Sequence, residues 1–360
     1  MKILQIIASL SDGGAEKFVI DLSNELSKKH DVVICTLFDI DNDMFLAKTL
    51  SSRVKVISLS KKKGLDLKIF YKIYKLIEQI KPDVVNTHVR ALFYTTFPIL
   101  FFKSKFVHTV HNMADKETSY IYRLIYKIFF NYFKVTPIAI SKKVLESIQL
   151  EYSNSFKILI ENGVKQLHPT SQVDKVKQEI EKYKVTENTK VLLTIGRIGS
   201  QKNYVLLVKT VNQLIQDNFD IVLLIIGRDY GDLEMLKSIA SKHIYFLGQK
   251  INVVDYINNA DAFCLSSLYE GLPIVLLESL SMGCIPICTP AGGIVDVIDK
   301  DIGFMCDGFS ESSYYKIMRE FLETDISNLN KMKHNCQKLF NINYNIEKTA
   351  EKYLYLYNTL

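Results

Sequence analysis

The stretch Tyr269-Glu270-Gly271-Leu272-Pro273-Ile274-Val275-Leu276-Leu277-Glu278 sets two carboxylates eight positions apart around an internal Gly-Leu-Pro. Proline suits the first position of a helix, because its missing N–H would be unpaired there and its φ is preset. Val275 to Met282 therefore reads as a short helix, and Gly283 is the natural residue just past its end. Glu270 falls in the loop before this helix and Glu278 on its second turn. The backbone N–H groups of residues 271–275 are expected to point outward at the positive end of the helix dipole, where a diphosphate would sit. A carboxylate on either side could accept hydrogen bonds from sugar hydroxyls, so the pattern points to a nucleotide-sugar site. Outward from it, Ala262–Leu265 and Ile285–Cys288 read as strands, which makes the stretch the loop and helix of a β-α-β unit.

The same alternation runs through the chain and predicts an α/β protein with parallel sheets and crossover helices. In the first half, Ile3–Ala8, Asp31–Leu37, Val54–Leu59, Asp83–Thr87, Lys105–His108 and Pro137–Ile140 read as strands, with amphipathic helices over Glu16–Lys28 and Asp66–Ile80. Glu161-Asn162-Gly163-Val164 reads as a turn. A new unit starts near Lys190, with strands at Val191–Ile195, Ile221–Ile226 and Ile244–Phe246 before the two already named. Polar residues 172–188 lie between the halves and contain a helical pattern over Val173–Tyr183, so the domain boundary is expected around 165–185. The last segment, Asn341 to Leu360, carries Tyr344, Ile346, Tyr353, Leu354 and Tyr357 at helical spacing.

At 360 residues, 48% hydrophobic and 23% charged, the chain has the length and balance of two ordinary globular domains. Its six cysteines form no C-x-x-C pair and sit mostly in apolar runs, so they read as small core residues in a reducing compartment. Cys284-x3-Cys288 lacks a second pair and is not read as a metal site, and Asp41-Asn42-Asp43 reads as a turn, not a metal motif. No metal and no cofactor is expected. The first apolar run is too short for a signal peptide and reads as a strand. No window reaches the roughly 20 apolar residues of a membrane helix. A cytoplasmic protein is expected.

Charge is uneven. Residues 1–170 hold 25 Lys+Arg and 16 Asp+Glu, a net of +9; subtraction from the totals of 45 and 39 leaves 20 and 23, a net of −3. A basic half calls for an anionic partner. No nucleic-acid motif accompanies it. Tyr120 to Lys134 mixes aromatics with spaced Lys and Arg, and Ala91 to Phe102 is a nearby apolar stretch, as at a peripheral contact with an anionic membrane.

Glu270, Glu278, the EGLP context, and the downstream Gly283-Cys-Ile-Pro and Gly292-Gly293 together resemble the E-x7-E region of the retaining glycosyltransferases of family 4. The resemblance extends over the whole chain. It implies a GT-B fold: two Rossmann-like domains facing a cleft, an acceptor-side domain over 1–170, a donor-side domain over 171–340, and a helix over 341–360 crossing back to the first. It implies that Glu278 holds the donor ribose, Glu270 and Gly271 the transferred sugar, and Leu272, Pro273 and Ile274 the diphosphate. Ile195-Gly-Arg197-Ile-Gly-Ser-Gln-Lys202 is similar to the family's G-R-x5-K loop, whose cations bind the same diphosphate; a guanidinium and an ammonium suit that task. Ser11-Asp-Gly13-Gly14-Ala-Glu16 resembles a GGAE loop common among members making bacterial surface polysaccharides, with both glycines near the diphosphate. His111, just past a strand, matches a histidine near the reacting centre, and His88 ends the neighbouring strand. Gly248-Gln-Lys250-Ile251 lies where the family binds the base through backbone groups. Gly227-Arg228-Asp229-Tyr230-Gly231 departs from the usual G-x-G of its turn.

The resulting expectation is a metal-independent retaining hexosyltransferase using a UDP-sugar, with GDP-mannose as runner-up. Its acceptor would be a saccharide or polyprenyl-linked saccharide in bacterial surface polysaccharide synthesis. The alternative is a catalytically silent nucleotide-sugar-binding partner of another transferase. A GT-B epimerase would need other acid/base carboxylates, and a phosphorylase would need a lysine for pyridoxal phosphate and a far longer chain.

Overall fold

In the computed structural model, residues 1–11, 13–40 and 46–360 are described; Asp41-Asn42-Asp43 lies outside them. The chain divides into two compact units, Met1–Lys165 with Tyr344–Leu360, and Gln166–Asn343.

The first unit is built on a six-stranded sheet of β1 (Lys2–Ile7), β2 (Asp31–Thr36), β3 (Lys55–Ser58), β4 (Val84–His88), β5 (Lys105–Val110) and β6 (Thr136–Ala139), in the order β3-β2-β1-β4-β5-β6. Every pairing is parallel, with Ile3 beside both Val32 and Val84. Such a sheet is covered on both faces, which is why its strands read as near-continuous apolar runs. The helix Gly14–Leu26 packs Phe18, Val19, Leu22 and Leu26 into this core. The terminal helix Ile346–Thr359 lies against it and contributes the fully buried Tyr353 and Tyr357.

The second unit repeats the plan with β7 (Lys190–Ile195), β8 (Ile221–Ile226), β9 (Ile244–Gly248), β10 (Ala262–Leu265), β11 (Ile285–Cys288) and β12 (Phe304–Met305), in the order β12-β11-β10-β7-β8-β9. All pairings are again parallel. β12 has two residues and left no sequence signal. Two helices unmarked in the sequence reading, Glu311–Glu323 and Ile326–Leu339, do carry start signals: Ser310 Oγ accepts from the Ser313 N–H, and Asp325 Oδ1 from the Asn328 N–H. All six cysteines are buried and unpaired. Among the described residues no helix is long and apolar enough to cross a membrane.

The segment Glu161–Val164 is not the turn its Asn-Gly suggested. Val164 runs beside Asn345, its N–H donating to the Tyr344 carbonyl at 2.9 Å and its carbonyl accepting from Ile346 at 3.0 Å. Gly163 is there because the terminal segment comes close: a Cβ would lie 2.4 Å from Thr349 Oγ1 and 3.0 Å from the Asn345 carbonyl oxygen. Gly163→Ala should therefore cost about 1–3 kcal/mol, read as lower thermal stability and faster amide exchange in residues 346–359. Thr349→Ala in the same chain should recover part of it by removing the nearest atom. Unchanged exchange in that helix would contradict the crowding argument.

Candidate functional site

Open parallel sheets bind ligands beyond the carboxyl ends of their strands, where successive crossovers leave in opposite directions. In the second unit that point lies between β7 and β10. The loop after β7 carries Arg197 and Lys202, and the loop after β10 carries Glu270.

These two loops are stitched together. Lys202 Nζ donates to Glu270 Oε1 at 2.7 Å, with the side chains only 13% and 10% exposed. Ser266 Oγ donates to the Lys202 carbonyl (2.8 Å), Gln201 Nε2 to the Tyr269 carbonyl (2.9 Å), and the Leu268 N–H to the Gln201 carbonyl (2.9 Å). Below Glu270 the chain is pressed by Gly292, whose φ is +53° and whose added Cβ would stand 1.7 Å from the Glu270 carbonyl oxygen. Gly293 N–H donates to the Gly271 carbonyl at 2.9 Å. The Gly-Gly pair thus sets the position of the Glu270 backbone.

The helix that follows runs Ile274–Met282. Pro273 is its N-cap and not its first residue, because a ψ of 124° keeps it outside the helix. Its carbonyl accepts from the Leu276 N–H at 3.1 Å. Glu278, on the second turn, is a buried carboxylate and the one charged residue of this helix. Gly283 ends the helix at φ 70°.

Arg197 is exposed, and its guanidinium lies 5.6 Å over the Tyr230 ring. The loop after β8 brings that ring there: Ile198 N–H donates to the Arg228 carbonyl and Tyr230 N–H to the Ile198 carbonyl (2.9 and 2.8 Å). Gly227 makes the approach possible, since a Cβ would stand 1.8 Å from the Gly196 carbonyl oxygen. Asp229 is accounted for locally, accepting from the Gly231 and Leu233 N–H groups. Lys250 is engaged elsewhere: its Nζ donates to Glu179 Oε1 at 3.0 Å, while Tyr256 donates to Glu179 Oε2 at 2.7 Å. Ile251 beside it is exposed.

In the first unit the switch point lies between β1 and β4. Gly13 caps the helix Gly14–Leu26 with extended backbone, and a Cβ there would meet Glu16 Oε2 at 2.2 Å. His88 ends β4, and His111 follows β5. His88 Nδ1 and His111 Nε2 are 2.9 Å apart, and His88 Nε2 is 2.9 Å from Gln5 Oε1 on β1. The Phe18 ring packs edge-on against His111, with centroids 5.5 Å apart. Burial lowers His111 to a pKa of about 3 and drives His88 well below its ordinary value, so both rings are neutral near pH 7.

One neighbour was invisible in the sequence. The buried carboxyl of Glu117 stands 3.8 Å from His108 Nε2. Distance alone would make this an ion pair, but burial pushes Glu117 up to about 8, against the pull of the His111 and Asn112 N–H groups. Burial also lowers His108 to about 3. Thr87 Oγ1 donates to the Val107 carbonyl and so accepts from His108 Nδ1–H, leaving His108 Nε2 bare toward a protonated acid. The pair is neutral. Among the described residues no cluster of three His, Cys, Asp or Glu is arranged to hold a metal.

Residues 12–165 match the family model for Glycosyltransferase Family 4, and residues 175–339 that for Glycosyl transferases group 1. The chain belongs to glycosyltransferase family 4. A relative in Campylobacter jejuni, the GalNAc-alpha-(1->4)-GalNAc-alpha-(1->3)-diNAcBac-PP-undecaprenol alpha-1,4-N-acetyl-D-galactosaminyltransferase, is 29% identical over 293 residues, 78% of this chain and 77% of that one. An Escherichia coli UDP-Gal:alpha-D-GlcNAc-diphosphoundecaprenol alpha-1,3-galactosyltransferase is 27% identical over 341 residues, 87% and 83% of the two chains. The Anabaena protein HepE, crystallised with UDP and glucose, superimposes with a TM-score of 0.83 over the full length of both chains at 17% identity. The glycosyltransferase therefore has the GT-B fold.

In this family-4 glycosyltransferase, sequence reasoning named Lys202 and Glu270 separately and missed that they pair. It missed Gln5, Glu117 and Tyr230. A polar residue at position 5 inside the run Ile3–Ile7 was the available signal for Gln5.

The pKa values give a signed prediction. Folded Glu117 holds its proton up to about 8 while the unfolded carboxyl loses it near 4.5, so its stabilisation is full at low pH and is lost as pH rises toward 8. His108 and His111, at about 3 against an ordinary 6.5, act oppositely: stability is lost as pH falls below 6.5. The histidine contribution is common to wild type and a Glu117→Gln variant and drops out of their comparison. The melting temperature of wild type relative to Glu117→Gln should therefore fall between pH 6.5 and 8. A constant difference across that window would show that the carboxyl ionises as it does in water.

Proposed function

We propose that this glycosyltransferase is a retaining, metal-independent enzyme that moves a hexose or N-acetylhexosamine from a UDP-sugar to a hydroxyl of a polyprenyl-linked saccharide. The observation that carries this is the Lys202–Glu270 pair at the β7/β10 switch point, immediately before the Ile274–Met282 helix. A diphosphate offers Lys202 a more negative partner than one carboxylate. Lys202 turning to it releases Glu270, with Gly271, to hold a sugar hydroxyl. Arg197, resting on Tyr230, supplies a planar fork for the same phosphates. The helix start at Leu272, Pro273 and Ile274 and the Gly13-Gly14 turn are assigned to the diphosphate. Glu278 is assigned to the ribose, and backbone groups at Lys250 and Ile251 to the base. His111 is assigned to the transferred sugar. UDP is favoured because HepE binds it and the E. coli relative is named for UDP-Gal; lipid-linked acceptors are favoured by the names of both relatives.

In the transfer, the C1–O bond to the diphosphate breaks and the acceptor oxygen bonds C1 from the same face. The acceptor's proton passes to the departing phosphate oxygen, so charge and protons balance. Arg197 and Lys202 stabilise the oxygen that gains charge, the task a divalent ion performs in other transferases.

The acceptor calls for a membrane, and the first unit offers a surface. Its helix Tyr120–Tyr132 exposes Tyr120, Ile121, Leu124, Ile128 and Tyr132. The adjoining helix Ala91–Ile99 and the turn after it expose Phe97, Leu100 and Phe101, and Phe93 packs on Tyr122 between the two. Lys103, Lys116, Lys127 and Lys134 are exposed around them. Apolar side chains ringed by lysines suit an anionic lipid surface at the inner face of the cell membrane.

Purified protein should hydrolyse one donor slowly from a panel of UDP-, GDP-, ADP- and CMP-sugars, equally with and without EDTA. Arg197→Ala should lower kcat by about 10²–10³-fold, and Glu278→Ala should abolish donor binding. Full loss in EDTA would end the metal-independent reading, and tight donor binding without transfer to any lipid extract would favour a silent binding subunit. In a separate experiment, the protein should float with vesicles containing phosphatidylglycerol and not with pure phosphatidylcholine, and Ile121→Asp/Ile128→Asp should stay in solution. Equal flotation of the variant would exclude this face.

A further inference from the structure

Three side chains from three adjacent strands form a directional chain behind His111. Gln5 lies on β1, His88 ends β4, and His111 follows β5; β1, β4 and β5 are neighbours in the sheet. Gln5 and His88 are fully buried. The amide oxygen of Gln5 can only accept, so the hydrogen in its 2.9 Å bond sits on His88 Nε2. A neutral imidazole carries one N–H, so His88 Nδ1 is bare and accepts. The 2.9 Å bond to His111 is then donated by His111 Nε2–H. By the same count, His111 Nδ1 is bare.

We propose that Gln5 and His88 are positioning residues that lock His111 as the Nε2–H tautomer, so that Nδ1 is presented as a hydrogen-bond acceptor to a hydroxyl of the sugar or of the acceptor. The proposal rests on the assignment of His111 above and goes beyond it by giving the ring one role and excluding another: a ring held this way accepts from a hydroxyl and donates nothing to it. The surroundings favour the neutral form needed for the count. The Phe18 ring packs against His111 in a T-shaped contact, and burial opposes charge on both rings. The Gln5 amide sits beside the buried Tyr357 phenol, which takes a hydrogen bond from Asn86 Nδ2 at 3.1 Å, while Gln5 Nε2 itself is buried without a hydrogen-bond partner. The direction of the whole chain depends on one amide. Turned by 180°, Gln5 would donate to His88, His88 would donate to His111, and His111 would present Nδ1–H.

Nitrogen chemical shifts of histidine rings distinguish the two tautomers without any reference to turnover. In full-length protein labelled with ¹⁵N-histidine at pH 7, assigned through His88→Gln and His111→Gln, both rings should give the Nε2–H pattern. Gln5→Met, close in shape but without the acceptor, should give mixed tautomers at both rings. It should also lower kcat for transfer roughly tenfold, the size of one lost hydrogen bond, with donor KM little changed. An Nδ1–H pattern at His111 in wild type overturns the proposal, as do fixed Nε2–H tautomers in Gln5→Met. Because the spectra are read on resting protein, a failure of the transferase assignment would appear in the donor panel and leave this result standing.

Discussion

A parallel sheet cannot be closed by hairpins; each strand returns through a crossover on one face or the other. In both units the crossovers reverse at the first strand, leaving β1 beside β4 and β7 beside β10 with loops that diverge. The residues assigned to chemistry collect at those two gaps. Gly13, His88 and His111 belong to one, and Arg197, Lys202 and Glu270 to the other. The loops at the second gap are pressed by the neighbouring loops after β8 and β11, whose Gly227 and Gly292 stand where a Cβ would meet the Gly196 and Glu270 carbonyl oxygens.

The Lys202–Glu270 pair shows why such a gap can be selective. Two largely buried opposite charges offset each other's desolvation, whereas either alone would be costly. A ligand that separates them must offer a replacement for each: anionic oxygens for the ammonium, and hydroxyl donors for the carboxylate. A sugar nucleotide carries both within a few bonds. A free phosphate carries only the first, and a free sugar only the second. On the assignment proposed above, the pair favours ligands in which the two groups are joined. The three other hydrogen bonds between these loops hold them together independently of the Lys202–Glu270 pair.

The alternation of strands and helices was plain in the sequence because strands buried on both faces leave long apolar runs, as in Ile221–Ile226. What could not be read was partnership. Lys202 and Glu270 are 68 positions apart, and no local pattern announces that they meet. Gly292 looked like half of a motif; its reason is the Glu270 carbonyl against it. Asn162-Gly163 carried a turn's composition, yet the glycine answers to crowding from residues 345–349, far along the chain. Nothing in the local sequence marks Glu117; burial beside His108 changes its charge, and burial is a property of the fold.

The terminal helix bears on the histidines as well as on stability. Tyr353 faces Thr109 on β5 at 3.0 Å, Thr109 donates to Asn86 on β4, and Asn86 donates to Tyr357, which returns to the same helix. Lys105, at the start of β5, donates to the Tyr357 carbonyl. This ladder fixes β4 and β5 relative to each other two residues before His88 and His111. A hydrogen bond between two ring nitrogens tolerates only a few tenths of an ångström of slip. The helix that closes the first unit thereby sets the register on which the His88–His111 bond depends, and a change at Tyr353 or Tyr357 would be felt at rings it does not touch.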